Sequence, residues 1–140
     1  MLREFDLDAT VIDMNLDAVR ELRSRGVRAI YGDASQREIL ETAGVRDAVG
    51  LVFASNANAL ETVKAARELN PELTILTRAT YLRDAAELQK VGATVVVSEA
   101  EVAFAMTEKM LRRLGATPEQ IDRAREEVRA DIDRHTGANA

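Results

Sequence analysis

The chain has 140 residues, 46% of them hydrophobic, and a formal net charge of -5. That length fits one domain with enough apolar content to bury a core, while the interspersed acids and bases form no basic stripe of the kind a nucleic-acid partner requires. With no cysteine, a disulfide framework and a thiolate metal site are both excluded.

Uncharged apolar runs such as Ala48–Ala54 and Ala93–Val97 fall far short of the about 20 residues that cross a bilayer. Met1–Asp6 lacks the apolar core of a secretory signal. The expectation is a cytoplasmic chain without direct membrane insertion.

The first strand is predicted at Ala9–Asp13, followed by a helix over Leu16–Arg25 that Asn15 caps and Gly26 stops. A second strand, Val27–Tyr31, leads to Ser35 with Glu38 three residues on, which reads as a capping box opening a helix that ends at Gly44. Then come a strand at Val49–Ala54, Asn56 ahead of a helix over Ala57–Leu69, a strand at Leu73–Arg78, and a helix ending at Gly92. A fifth strand, Thr94–Ser98, runs into a second Ser-x-x-Glu pair, Ser98 and Glu101, whose helix stops at Gly115.

Each of these strands is short and nearly continuously apolar, the pattern of strands buried on both faces of a parallel sheet. Strand and helix alternate throughout, which predicts a doubly wound α/β sheet with crossover helices. The last segment differs. Thr117-Pro118-Glu119-Gln120 opens a helix with a cap, a first-turn proline and a capping-box glutamine. Its apolar stripe, Ile121, Ala124, Val128 and Ile132, is narrow, so the helix is expected to pack weakly on the domain or to bridge to something else. The polar tail from Thr136 is expected to be disordered.

Asp13 and Asp33 stand at or just beyond the ends of the first two apolar runs. In dinucleotide-binding α/β domains an acid at such a position accepts hydrogen bonds from ribose hydroxyls. The structural alternatives are that Asp13 or Asn15 caps the next helix, and that Asp33 is a turn residue after Gly32 that helps start the Ser35 helix. No two of the seven glycines are separated by a single residue, so the Gly-x-Gly phosphate loop that accompanies such a site is absent. Asn56 lies in a loop where ligands enter, and a cap role suits it better than a ligand role.

Catalytic constellations are not visible. The one histidine, His135, sits near the end of the chain and has no scaffold for a triad. Glu99 with Glu101, and Glu126 with Glu127, have the spacing of helix caps and solvated faces. Ser24, Ser35, Ser55 and Ser98 lack a nearby base or a nucleophile-elbow pattern. The expectation is a protein that is not an enzyme and has no metal site.

The pieces Val11-Ile12-Asp13-Met14-Asn15, Tyr31-Gly32-Asp33-Ala34-Ser35, Leu40-Glu41-Thr42-Ala43-Gly44-Val45, Leu51-Val52-Phe53-Ala54 and Thr77-Arg78-Ala79 resemble the RCK-N or TrkA-N nucleotide-binding domain of potassium-transport regulators. The resemblance runs from Leu2 to Leu114, and the Thr117–His135 helix is similar to the segment that follows this domain in Kef-type cation/proton antiporters. It implies a Rossmann-like sheet of five strands, N-terminally truncated, with a domain over 1–115, a C-terminal helix over 116–135 and a tail over 136–140. Leu2–Phe5 would be the remnant of the helix after the glycine loop.

By the same resemblance, Asp33 lies beside the adenine of NAD or of an adenine nucleotide (AMP or ATP), Ala34 meets the adenine edge through its backbone, and Arg78 points at phosphates or across a subunit boundary; a plain salt bridge suits Arg78 equally. Without the phosphate loop, weak or no NAD binding is expected, with AMP or adenosine suffering less.

In the strand order 3-2-1-4-5-6 the absent first strand is central, so the strands at Val11 and Leu51 would each bare an edge. Three outcomes are open: the two pair directly, a second copy fills the gap, or another polypeptide does. Association into a homodimer or higher homo-oligomer is the expectation, with a membrane transporter region upstream as a further possible partner. The function implied is a cytoplasmic, ligand-sensing regulatory domain that gates a potassium channel, transporter or cation/proton antiporter. The alternative is an assembly domain, or a fragment, that keeps only the scaffold.

Overall fold

The computed structural model describes residues 7–55 and 57–136. The chain forms two compact units, one holding the described residues of 1–51 with 58–74, the other 52–57 with those of 75–140. Asn56, the Leu2–Phe5 helix remnant and the tail over 137–140 lie outside the described residues.

In the first unit, β1 (Thr10–Asp13) and β2 (Arg28–Tyr31) pair in parallel, with Thr10 opposite Arg28 and Asp13 opposite Tyr31. Between them runs α1 (Leu16–Ser24), opened by Asn15, whose Oδ1 accepts from the Asp17 and Ala18 amides at 3.0 and 3.2 Å. After β2 come α2 (Arg37–Ala43), a 3-10 turn at Val45–Asp47 and the start of β3 (Gly50–Phe53), which continues into the second unit. α3 (Ala59–Leu69) completes the unit. Its core is Val19, Leu40, Val45, Val63, Ala66 and Leu73. Asn70 fastens the 3-10 turn to the end of α3, donating from Nδ2 to the Val45 and Ala48 carbonyls, both at 3.0 Å.

The second unit holds β4 (Thr74–Ala79), whose first residue belongs to the other unit, together with α4 (Leu82–Lys90), β5 (Thr94–Val97), α5 (Ser98–Arg113) and α6 (Pro118–Thr136). β4 and β5 are parallel, Leu76 facing Thr94 and Ala79 facing Val97. Ile75, Ala79, Ala85, Leu88 and Val97 are buried here. α6 packs on α4 and α5 through the buried Ile121. Its start is the reciprocal box read from the sequence: the Thr117 amide donates to Gln120 Oε1 at 2.8 Å, and the Gln120 amide to Thr117 Oγ1 at 3.3 Å. No helix among the described residues is long and apolar enough to cross a membrane.

The strands form a two-stranded sheet, β1-β2, and a three-stranded sheet, β3-β4-β5. Direct pairing of the strands at Val11 and Leu51 is therefore not the outcome taken: β1 and β3 each end a sheet of their own.

Several expectations need correction. Ser35 does not cap α2; Gln36 precedes it, with no side-chain cap bond, because the Ser35 hydroxyl as well as its amide is turned to the Asp33 carboxylate. Ser98 is the first residue of α5 rather than its cap, since the chain turns directly from β5 through Val97. α3 starts at Ala59 behind Asn58, which takes a left-handed conformation (φ 57), two residues later than the predicted start at Ala57. The strands are not buried on both faces. β4 alternates, with Ile75, Thr77 and Ala79 buried and Arg78 exposed, and β1 is half-buried throughout. β1 is a terminal strand of its sheet, and such a strand keeps one side open.

Candidate functional site

The site is built by the parallel pairing of β1 and β2, which carries both strand ends to one edge. Asp13 is the last residue of β1 and faces Tyr31, the last residue of β2. Its carbonyl accepts from the Gly32 amide at 3.1 Å, which ties the start of the Gly32-Asp33-Ala34-Ser35 loop to the end of β1. The two acids thus share one end of one sheet. Sequence separation hides this, and parallel register creates it.

Each carboxylate spends one oxygen on its own turn. Asp13 Oδ1 accepts from the Asn15 amide at 2.8 Å and Asp33 Oδ1 from the Ser35 amide at 2.8 Å. Both alternatives from the sequence are therefore present: Asn15 is the cap, Asp13 shapes the turn before it, and Asp33 organises the turn ahead of α2. These bonds leave room for more. Asp13 Oδ2 has no hydrogen-bond partner among the described residues, so one acceptor remains available. The Ser35 backbone N–H, and then its hydroxyl, hold the Asp33 carboxyl below the ordinary carboxylate range, so it is anionic at neutral pH. Ala34 lies between Asp33 and Ser35, half-buried, and its amide has no acceptor among the described residues.

Tyr31 was missed in the sequence as anything but a frame for Gly32. Its ring is 55% exposed and, being paired with Asp13, it projects from the same face of the ladder. An aromatic residue closing an apolar run just ahead of Gly32 was the available signal. A Cβ at Gly32 would come within 2.5 Å of Ile39 Cδ1, so any side chain there requires that side-chain tip to move.

Asp13, Asp33 and Ala34 are brought together, whereas Arg78 is an exposed residue of β4 in the second unit, opposite Val96. No group of three or more potential metal-binding side chains occurs among the described residues.

A model of the TrkA-N domain matches residues 1–99. The chain belongs to the TrkA-N domain family. It is 38% identical over 106 residues to YbaL of Escherichia coli (strain K12), named as a cation/proton antiporter, covering 74% of this chain and 19% of YbaL. This TrkA-N chain thus spans about a fifth of that relative's length. The crystal structure of the TrkA-N domain of E. coli inner membrane protein YbaL superposes with a TM-score of 0.71 at 37% identity, covering 76% of this chain and 82% of that one. The Shewanella denitrificans Kef CTD in its AMP-bound form gives a TM-score of 0.71 at 26% identity, over 91% of this chain and 94% of that one. The Rossmann-like α/β fold read from the sequence is that of this family.

Proposed function

We propose that this TrkA-N domain is a ligand-sensing regulatory module of a cation/proton antiporter, and that its ligand is an adenine nucleotide held at the β1–β2 edge. The observation that carries the reading is the placement of Asp13 and Asp33 at one end of one parallel pair. Asp13 accepts from the ribose hydroxyls through Oδ2, Asp33 lies beside the adenine, the Ala34 amide donates to the adenine edge and Tyr31 flanks the base. The AMP-bound state of the Kef CTD relative supports this choice of ligand. A nucleotide at this edge regulates only through unequal affinity for two arrangements of the protein, so the role is regulatory rather than catalytic.

With no Gly-x-Gly in the sequence, the backbone donors that normally cradle a pyrophosphate are not supplied by this chain. AMP is therefore the better ligand, and NAD binds weakly or not at all. Calorimetry with AMP and NAD tests this. Asp13→Ala should weaken AMP about tenfold, equivalent to about 1.4 kcal/mol; unchanged affinity would remove Asp13 from the site, and NAD binding with a micromolar constant would overturn the ligand order. The second reading, an assembly domain that keeps the scaffold without the ligand, is favoured by the same missing loop and predicts no heat with either nucleotide.

A further inference from the structure

Strand β1 has an interior strand's cover and an edge strand's backbone. Its four residues are half-buried throughout, and α1 and α2 both pack against it, yet among the described residues only β2 pairs with it. The ladder fixes which groups are left over. The Asp13 carbonyl accepts from the Gly32 amide just beyond β2, so Asp13 and, two residues back, Val11 direct their backbone groups at β2. In a strand the intervening residues point theirs the other way. The N–H and C=O of Thr10 and Ile12 therefore face the open side, with no proline or lysine in β1 to blunt it. Unpaired backbone of this kind is a template for strand addition.

What occupies the edge follows from what its far end lacks. A strand laid parallel to β1 finishes beside Asp13, where the β1–β2 pairing also brings Asp33. Both are acids, and a nucleotide held there carries phosphate, so donors have to come from elsewhere. The sequence has no Gly-x-Gly, the turn that presents successive backbone N–H groups to phosphate. A second copy of this chain lacks the same turn. Its β1 would also run antiparallel in a two-fold pair of edges, which sets Thr10 of the copy, not a donor turn, beside Asp13. The occupant that fits is a strand of different sequence, apolar on both sides because helices cover β1.

We infer that the open edge of β1 docks an extended apolar segment from outside this sequence, which pairs parallel to β1 and whose following turn donates backbone N–H groups to the phosphate of a nucleotide at the Asp13–Asp33 edge. The strand pairing stands on the backbone geometry alone, whereas the role of the turn rests on the nucleotide reading above.

A fluorescein-labelled peptide tests both halves on the full chain: about six Val and Ile residues, lysines ahead of them for solubility, and a Gly-x-Gly-x-x-Gly turn behind. Anisotropy should show saturable binding without nucleotide. N-methylation of alternate strand amides, in one register or the other, should weaken it about tenfold, the factor expected for the loss of one or two backbone bonds. Thr10→Pro should do the same from the chain's side, because it removes an outward N–H and leaves the β1–β2 ladder intact. A circular-dichroism melt confirms that this variant folds, and the methylated peptides decide if it does not. No binding at millimolar peptide, binding indifferent to N-methylation, or binding displaced by a second copy as chain concentration rises would overturn the docking site. With the complete peptide bound, calorimetry should give AMP an affinity about tenfold higher than with a peptide cut off before the turn. Equal affinities would overturn the role of the turn while the pairing stands, and no AMP heat with either peptide would overturn the nucleotide reading instead.

Discussion

At the scale of single residues, the nucleotide edge and the folding machinery use the same atoms. Asp33 illustrates the double use. Its carboxyl is held below the ordinary range by the Ser35 amide and hydroxyl, and a depressed carboxyl contributes stability above its unfolded value that is lost as pH falls through the folded one. Wild-type protein should therefore lose more stability than Asp33→Asn between about pH 5 and pH 3. Urea midpoints measured across that window check it, and equal pH slopes for the two proteins would show that the Ser35 bonds do not favour the anion. Gly32 makes a separate claim about packing. Gly32→Ala drives a methyl onto Ile39 Cδ1, 2.5 Å away, and should cost about 1 kcal/mol, the low end for overpacking because the obstructing atom is a side-chain tip. Ile39→Val removes that atom, so the alanine should cost less when both substitutions are present, a coupling that a double-mutant cycle measures.

Among the elements, helix α6 gives the cleanest test of what a sequence pattern means physically. Thr117 and Gln120 satisfy each other's amides at its start, and one turn of helix holds Ile121 buried beneath it. Thr117→Ala should lower stability by about 1 kcal/mol, read as a shift in the thermal midpoint; no shift would mean that Ile121 alone sets this end of the helix. The same motif was legible here and misleading at Ser35 and Ser98. At Thr117 the hydroxyl accepts from the Gln120 amide and the proline fixes the first turn, whereas at Ser35 the Asp33 carboxylate takes both the amide and the hydroxyl, and the helix starts only at Arg37. The strands were legible to within a residue, because runs such as Thr94–Val97 have no other good conformation. Glycines placed the helix ends correctly: Gly26, Gly44, Gly92 and Gly115 all have positive φ. The sheet partition and the shared edge of Asp13 and Asp33 could be expected only through family resemblance, since register between strands separated by a helix leaves no local mark. Tyr31 went unread because exposure is a property of packing, and an aromatic residue at the end of an apolar run looks the same in sequence whether covered or bare.

For the whole molecule, burial and association are linked. Among the described residues β1 and β3 each leave one side of a small sheet unpaired, a backbone edge of the kind that pairs with another chain. If a dimer forms from folded chains only, mass action stabilises the fold as concentration rises. A hundredfold increase in protein concentration above the dissociation constant should then stabilise the dimer by about 2.7 kcal/mol, which raises the thermal midpoint by several degrees for a chain of this size. Val52→Lys places a charge on β3, where Val52 is 72% exposed, and should flatten that dependence while leaving the dilute midpoint unchanged. A midpoint that climbs equally in the variant would assign the association to another surface, and one that never climbs in the wild type would leave the strand edges without a self-partner. The dependence on concentration therefore separates a surface that is apolar by accident from one on which the fold relies.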